Sequence, residues 1–173
     1  MATVGLALCC SLLTAAPPAG APLPSWPAFE AEHRLKCQAA FDARTQRVDR
    51  KIGEHTFRLE GSRVVRQGPE RGRLTLGVIS AIKDLEEGTQ ANLERAFAAF
   101  ERAGVDAVIA NGDLALDEFA LEEVMTALGR TGQPVFVLIG NSESRAAFNR
   151  AFMAAEAKHP NLFNLNWARH VDL

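Results

Sequence analysis

The sequence predicts an α/β fold whose core is a parallel βαβαβ unit. Three apolar runs support this prediction, at residues 74–79, 105–110 and 134–139. Each run has the length and the β-branched content of a buried strand, and the stretches between them have helical periodicity. Strands that alternate with helices form parallel sheets through right-handed crossovers. We therefore expect these three strands to lie side by side and parallel.

Length and charge limit the function classes. The chain has 173 residues and a net charge of −2, with 47% hydrophobic and 23% charged residues. These values are typical of a globular protein with a sizeable core. The chain has no basic footprint, so we expect no nucleic-acid partner and no polybasic membrane patch.

The N-terminal segment, residues 1–27, resembles a signal peptide with a tether. Its apolar stretch over residues 4–16 is too short to span a bilayer, and a proline-rich stretch follows. We expect export to the periplasm, to the cell envelope or out of the cell. Cys9 or Cys10 is a candidate for a lipid anchor, as in bacterial lipoproteins. The alternative is a cytosolic protein with an apolar N-terminus.

Residues 28–72 are predicted to form a helix-plus-hairpin appendage ahead of the main domain at residues 73–173. Helical spacing with a thin apolar face runs from residue 28 to about residue 50. Two short strands, at residues 55–59 and 64–66, flank a turn and indicate a hairpin.

The main domain is predicted to contain three amphipathic helices. The first runs from about Thr89, a plausible N-cap, to Ala103, where Gly104 ends it. The second starts after Asp117 and ends at Gly129. The third covers residues 144–158, and a fourth strand follows over residues 161–165.

Each of the three predicted strands ends in polar or charged residues. Lys83 lies shortly after the first strand, Asp113 after the second and Asn141 after the third. Ligands of open α/β sheets bind beyond the carboxyl ends of the strands. The sequence therefore predicts a functional site at this edge of the sheet.

These clusters resemble the signature of the calcineurin-like metallophosphoesterases. That family carries Asp-x-His after its first strand, Gly-Asp after its second and Gly-Asn-His-Asp/Glu after its third. Here Gly112 and Asp113 resemble the second motif, and Gly140, Asn141 and Glu143 resemble most of the third. The resemblance covers roughly residues 73–165.

The motifs are degenerate at three positions. Ala81 stands where the family has Asp, and Lys83 and Ser142 stand where it has His. The family's later motifs, a lone His and Gly-His-x-His, belong to a second half that this chain lacks. The resemblance implies an α/β sandwich of which the chain supplies only the first half. We therefore expect an exposed apolar face, self-association, and a need for the C-terminal half or a partner chain.

The resemblance also implies roles for the retained residues. Family members hold two divalent metals, which clamp a phosphate and supply a hydroxide. By resemblance Asp113 is the carboxylate that bridges both metals, and Asn141 is a ligand of the second. Ala81 cannot bind a metal, and Lys83 would have to lose its proton to do so. We expect the Mn, Fe or Zn content to be reduced or lost, with the Lys83 ammonium paired to Asp113 instead. The alternative is that Lys83 extends into solvent from its loop.

Three functions follow from these expectations. The leading one is a metallophosphoesterase-like protein with a degraded metal centre and weak or no phosphoester hydrolysis. The second is an active metal-dependent hydrolase of phosphate-containing small molecules with non-standard ligands. The third is an anion-binding module that uses Lys83.

Two groups of residues also have a purely structural interpretation. Asp113 would then cap the turn that follows it, and Asn141 would hold a left-handed or turn conformation. Asp84, Glu86 and Glu87 are either replacement ligands or part of a solvated loop, and we prefer the loop.

Overall fold

The structure, a computed structural model, describes residues 47–69, 72–168 and 170–173. These residues form eight strands and three helices. The strands are β1 (Val48–Ile52), β2 (His55–Glu60), β3 (Arg63–Gln67), β4 (Leu76–Ile79), β5 (Ala107–Asn111), β6 (Val135–Leu138), β7 (Leu162–Asn164) and β8 (His170–Asp172). The helices are α1 (Glu87–Ala103), α2 (Glu118–Gly129) and α3 (Arg145–Glu156).

The predicted parallel sheet is present. Its strand order is β4-β5-β6-β7, and each neighbouring pair is parallel. Its helix-covered face contributes alternate side chains of β5 and β6, such as Val108 and Val137, to a core shared with α2 and α3. The carboxyl ends of β4, β5 and β6 therefore lie along one edge of the sheet.

The helix ends follow from local residues, with one correction. The Asp117 side chain accepts a hydrogen bond of 2.9 Å from the backbone N–H of Ala120, so it caps α2. Gly104 ends α1 in a left-handed conformation, as predicted. The predicted N-cap at Thr89 is wrong, because α1 already begins at Glu87.

A second sheet, with strand order β1-β2-β3-β8, covers the other face of the parallel sheet. The hairpin of β2 and β3 is present, but β3 also pairs in parallel with β8 from the C-terminus. Phe57 of β2 packs on Phe163 of β7 with ring centroids 5.4 Å apart, and Phe163 stacks on Phe136 of β6. The hairpin is therefore built into a sandwich, and the prediction of an appendage is not confirmed.

The predicted N-terminal helix is wrong where it reaches the described residues, because Val48–Ile52 is the strand β1. Arg50 lies in β1, and its guanidinium pairs with Glu156 of α3 at 2.6 Å while donating to the carbonyl of Leu162 at 3.0 Å. Residues 48–50 form a strand because they pair antiparallel with β2, and the contacts of Arg50 tie that strand to α3 and β7. The rest of the predicted helix, and the predicted signal segment, lie outside the described residues.

The second sheet also corrects the expectation that the chain supplies only one sheet. Its side chains bury most of the face that was expected to be exposed. The exposed apolar side chains of the parallel sheet are confined to the edge strand β4 and the residues before it: Leu76 is 41% and Val78 58% exposed. The expected self-association stays a prediction. None of the described helices is long and apolar enough to cross a membrane.

Candidate functional site

The candidate site lies at the carboxyl edge of the parallel sheet, where two loops carry strained residues. Ala81, Lys83 and Asp113 have φ angles of 55°, 74° and 55°. These left-handed conformations are uncommon for residues with a side chain and cost about 1 kcal/mol each. Asn141 is not among the positive-φ residues of the described chain, so it does not hold a left-handed conformation. It lies in a bend between β6 and α3, which agrees with the turn alternative.

The loops after β5 and β6 touch through two glycines. A Cβ built on Gly112 would lie 2.6 Å from the Cα of Gly140, and one built on Gly140 would overlap the backbone N and the carboxylate of Asp113. Any side chain at either position would separate the loops. The glycines of the two retained motifs are therefore explained by close backbone approach.

The Asp113 carboxylate joins the two loops. Its Oδ1 accepts hydrogen bonds from the backbone N–H of Asn141 at 3.2 Å and of Ser142 at 3.3 Å, and from the Ser142 hydroxyl at 3.0 Å. Asp113 thus caps the neighbouring loop, and the alternative in which it caps its own turn is wrong. The predicted proximity of Asp113 and Asn141 is confirmed.

Lys83 brings a cation to the other side of this carboxylate. Its Nζ lies 3.5 Å from Asp113 Oδ2 and 3.3 Å from Ser142 Oγ. Both distances exceed the usual range for N–H···O bonds, and the Lys83 side chain is 45% exposed. The ammonium is therefore held loosely and stays open to solvent.

The environment of Asp113 favours its ionised form. The hydrogen bond from the Ser142 hydroxyl contributes most to lowering the pKa of Asp113 below its ordinary value, and the Ser142 backbone N–H and the charge of Lys83 lower it further. Partial burial of the carboxyl opposes these effects. Asp113 is consequently an anion at neutral pH.

Glu143 is a structural residue to which the sequence assigned no role. It is 7% exposed, and its carboxylate accepts hydrogen bonds from the backbone N–H of Leu114, of Ala115 at 3.4 Å and of Gly140 at 2.8 Å. Three backbone donors are thus satisfied by one carboxylate. An acidic residue three positions after a strand-end glycine is the signal that would have indicated it.

The described residues do not fit a two-metal centre. Such a centre needs several carboxylates and imidazoles that converge on one point. No group of three or more His, Cys, Asp or Glu side chains is so placed in the described part of the chain. Oxygens of Asp113 already accept hydrogen bonds, and a cation lies beside them. The Asn141 residue is exposed at the same edge.

The acidic residues after β4 lie in a local turn and at the start of α1. Asp84 accepts a hydrogen bond of 3.0 Å from the backbone N–H of Glu86, which makes a local turn. Glu86 and Glu87 are exposed at the start of α1. These positions agree with the preferred interpretation of a solvated loop.

Comparisons with known proteins give one distant similarity. No protein-family model matches the chain, and no curated protein matches it. Among solved structures, the crystal structure of TT1561 of Thermus thermophilus is similar, with 18% sequence identity and a TM-score of 0.46. The similarity covers 51% of this chain and 40% of that chain. At this level it carries no inference about the site.

Proposed function

We propose that the protein is a metallophosphoesterase-like domain whose metal centre is degraded, and that it binds phosphate-containing small molecules weakly without hydrolysing them. The observation that carries the proposal is the pairing of Lys83 with Asp113. By resemblance, this carboxylate would bridge two metals. An ammonium beside it supplies positive charge but cannot generate a metal hydroxide near neutral pH.

The loose geometry of Lys83 supports anion binding. Its contacts to Asp113 and Ser142 are long, and an exposed ion pair contributes little free energy. The ammonium therefore gives up little when it turns toward an incoming phosphate. Asp113 stays charged nearby and repels the same anion, so the affinity is expected to be low.

Repair of the first motif tests the absence of hydrolysis. The double variant Ala81→Asp/Lys83→His restores the two metal ligands that the resemblance implies. We expect the unmodified protein to show no turnover of bis-p-nitrophenyl phosphate with added Mn²⁺, and the double variant to bind more Mn²⁺. Lys51→His, on an exposed position of β1, is the matched control for an added imidazole. Equal metal binding and turnover by the unmodified protein would favour the active hydrolase with non-standard ligands.

Thermal unfolding tests the anion site separately. Inorganic phosphate should raise the midpoint of unfolding relative to chloride at equal ionic strength, because a ligand of the native state stabilises it. Lys83→Gln should lose this increase, and Lys51→Gln should retain it. An increase that Lys83→Gln retains would place the anion elsewhere.

We also propose that the protein is exported, with Cys9 or Cys10 as the candidate for a lipid anchor. The support is the uncharged, apolar segment at residues 4–16. Fractionation of cells that express the full chain should place it in the envelope or the periplasm. Recovery in the cytosol alone would favour the cytosolic alternative.

A further inference from the structure

A groove separates α1 from α2 on the helix-covered face of the parallel sheet. Helices α2 and α3 pack against each other, whereas α1 stands apart from α2. The space between them has a volume of about 1080 Å³. One wall consists of residues of α1 between Gln90 and Glu101. The other wall consists of residues of α2 and of the loop that follows it, between Phe119 and Gln133. Leu85 and Phe119, which line one end of it, belong to the segments that follow β4 and β5. One end of the groove therefore lies near the same sheet edge as the candidate site.

The floor of the groove is apolar. Leu93 lies buried at its base, and Leu85 and Phe97 are half-buried along it. Phe119 stands at the rim with 73% of its surface exposed. A large aromatic side chain that stays exposed beside an apolar trough is typical of a binding surface, since its burial on a partner is favourable.

The rim of the groove is acidic. Four glutamates line it, Glu94, Glu101, Glu122 and Glu123, against a single basic residue in the described lining, Arg130. Glu122 pairs with Lys158 at 3.3 Å, whereas the other three glutamates form no salt bridge within the described part of the chain. Such a rim repels nucleic acid and anionic membranes and attracts a cationic partner.

The shape and the charge together select the occupant. The lining extends over twelve residues of α1, which corresponds to about three helical turns. A trough of this length with an apolar floor fits the stripe of an amphipathic helix better than a compact small molecule. A second copy of this chain docked symmetrically on the groove would place one acidic rim against the other, which is unfavourable.

We propose that this groove docks a basic amphipathic helix of a partner protein. The apolar stripe of that helix packs on Leu85, Phe97 and Phe119, and its lysines or arginines pair with the glutamates of the two rims. The proposal is independent of phosphate binding at Lys83, because the residues that line the groove are separate from Asp113 and Ser142.

A synthetic helical peptide tests the proposal with the full chain. The probe has about 18 residues, with leucines along one face and lysines along the others, and carries a fluorescent label. We expect saturable one-to-one binding by fluorescence anisotropy, weakened by added salt. A peptide of the same composition with the leucines scattered, and one with glutamate in place of lysine, should bind at least about tenfold more weakly.

Matched variants inside and outside the groove show where on the protein the peptide binds. Phe119→Ala should weaken binding about tenfold, as expected for the loss of an aromatic anchor, whereas Met153→Ala on the exposed face of α3 should leave it unchanged. Glu101→Lys combined with Glu123→Lys should weaken it further, and Glu54→Lys in the β1–β2 turn should not. Circular dichroism and urea unfolding establish that each variant is folded.

Three outcomes would overturn the proposal. The first is equal binding of the scattered or the acidic peptide. The second is undiminished binding by a folded Phe119→Ala protein. The third is a concentration-dependent dimer that Phe119→Ala abolishes, which would assign the groove to a second copy of the chain.

Discussion

The loops after β5 and β6 differ from the loop after β4 in how they are held. Gly112 and Gly140 bring the first two loops into backbone contact, and the buried Glu143 bonds to both. The loop after β4 is tied to them by a 3.2 Å hydrogen bond from the Ala81 backbone N–H to the Gly112 carbonyl, and by the loose Lys83 side chain.

This difference matches the pattern of retained and degenerate motif residues. The retained residues Asp113 and Glu143 accept hydrogen bonds from backbone N–H groups, a task that needs no metal. Of the three degenerate positions, Ala81 and Lys83 are exposed and carry little of the packing, whereas Ser142 donates hydrogen bonds to Asp113. The retained residues Asp113 and Glu143 are thus explained by structure alone, which is why their presence does not establish catalysis.

The largest expected change in the free energy of unfolding comes from disturbing the contact between the loops after β5 and β6. Gly140→Ala should lower the free energy of unfolding by about 3 kcal/mol, because the added methyl group overlaps Asp113. Urea unfolding measures this change. Gly88→Ala, in the first turn of α1 with no atom near the new Cβ, is the control and should stabilise the protein by about 0.5 kcal/mol. Equal urea-unfolding midpoints for the two variants would show that the close approach of Gly140 to Asp113 does not hold the loops after β5 and β6 together.

A smaller change in the free energy of unfolding is expected when the buried carboxylate of Glu143 is replaced. Glu143→Gln replaces one acceptor oxygen with a donor, so one backbone N–H at Leu114 or Gly140 loses its partner. The expected loss is about 2 kcal/mol in the free energy of unfolding. Glu54→Gln, in the exposed turn between β1 and β2, should change it by less than about 0.5 kcal/mol. A neutral Glu143→Gln would show that the loops are held by packing alone.

The smallest expected change in stability comes from Ser142→Ala, on the exposed side of the candidate site. Ser142→Ala removes the hydroxyl that contributes most to lowering the pKa of Asp113, so this pKa should rise toward its ordinary value. A carboxyl with a lowered pKa in the folded state stabilises the fold above its unfolded pKa, and the effect is lost as the pH falls through the folded pKa. In Ser142→Ala this stabilisation should therefore be smaller, and its loss should be complete at a higher pH.

Carbon-13 NMR of the Asp113 carboxyl measures that titration directly. Ser62→Ala, in the β2–β3 turn, is the control and should leave the titration unchanged. An unchanged pKa of Asp113 in Ser142→Ala would mean that the backbone N–H groups and Lys83 alone set it.

The sequence determined the parallel sheet and the meeting of Asp113 and Asn141. Apolar runs and helical spacing are local signals, and parallel strands joined by helices must end at one edge. Helix ends were also local, since Asp117 and Gly104 act on neighbouring backbone. The expected bounds of these strands and helices differ from those of the structure by at most about two residues at each end, because elements fray where packing stops.

Only the tertiary structure decided the second sheet, the role of Glu143 and the groove between α1 and α2. Strands β1, β2 and β3 pair with each other through short turns, but β3 also pairs with β8, more than a hundred residues away, and Arg50 of β1 pairs with the equally distant Glu156. Such pairings leave no periodic signal in either segment. Glu143 occupies a motif position in the sequence, but its bonds to Leu114 and Ala115 form only when the loop after β5 approaches it. Burial and long-range pairing are properties of the assembled fold, whereas periodicity belongs to each segment by itself.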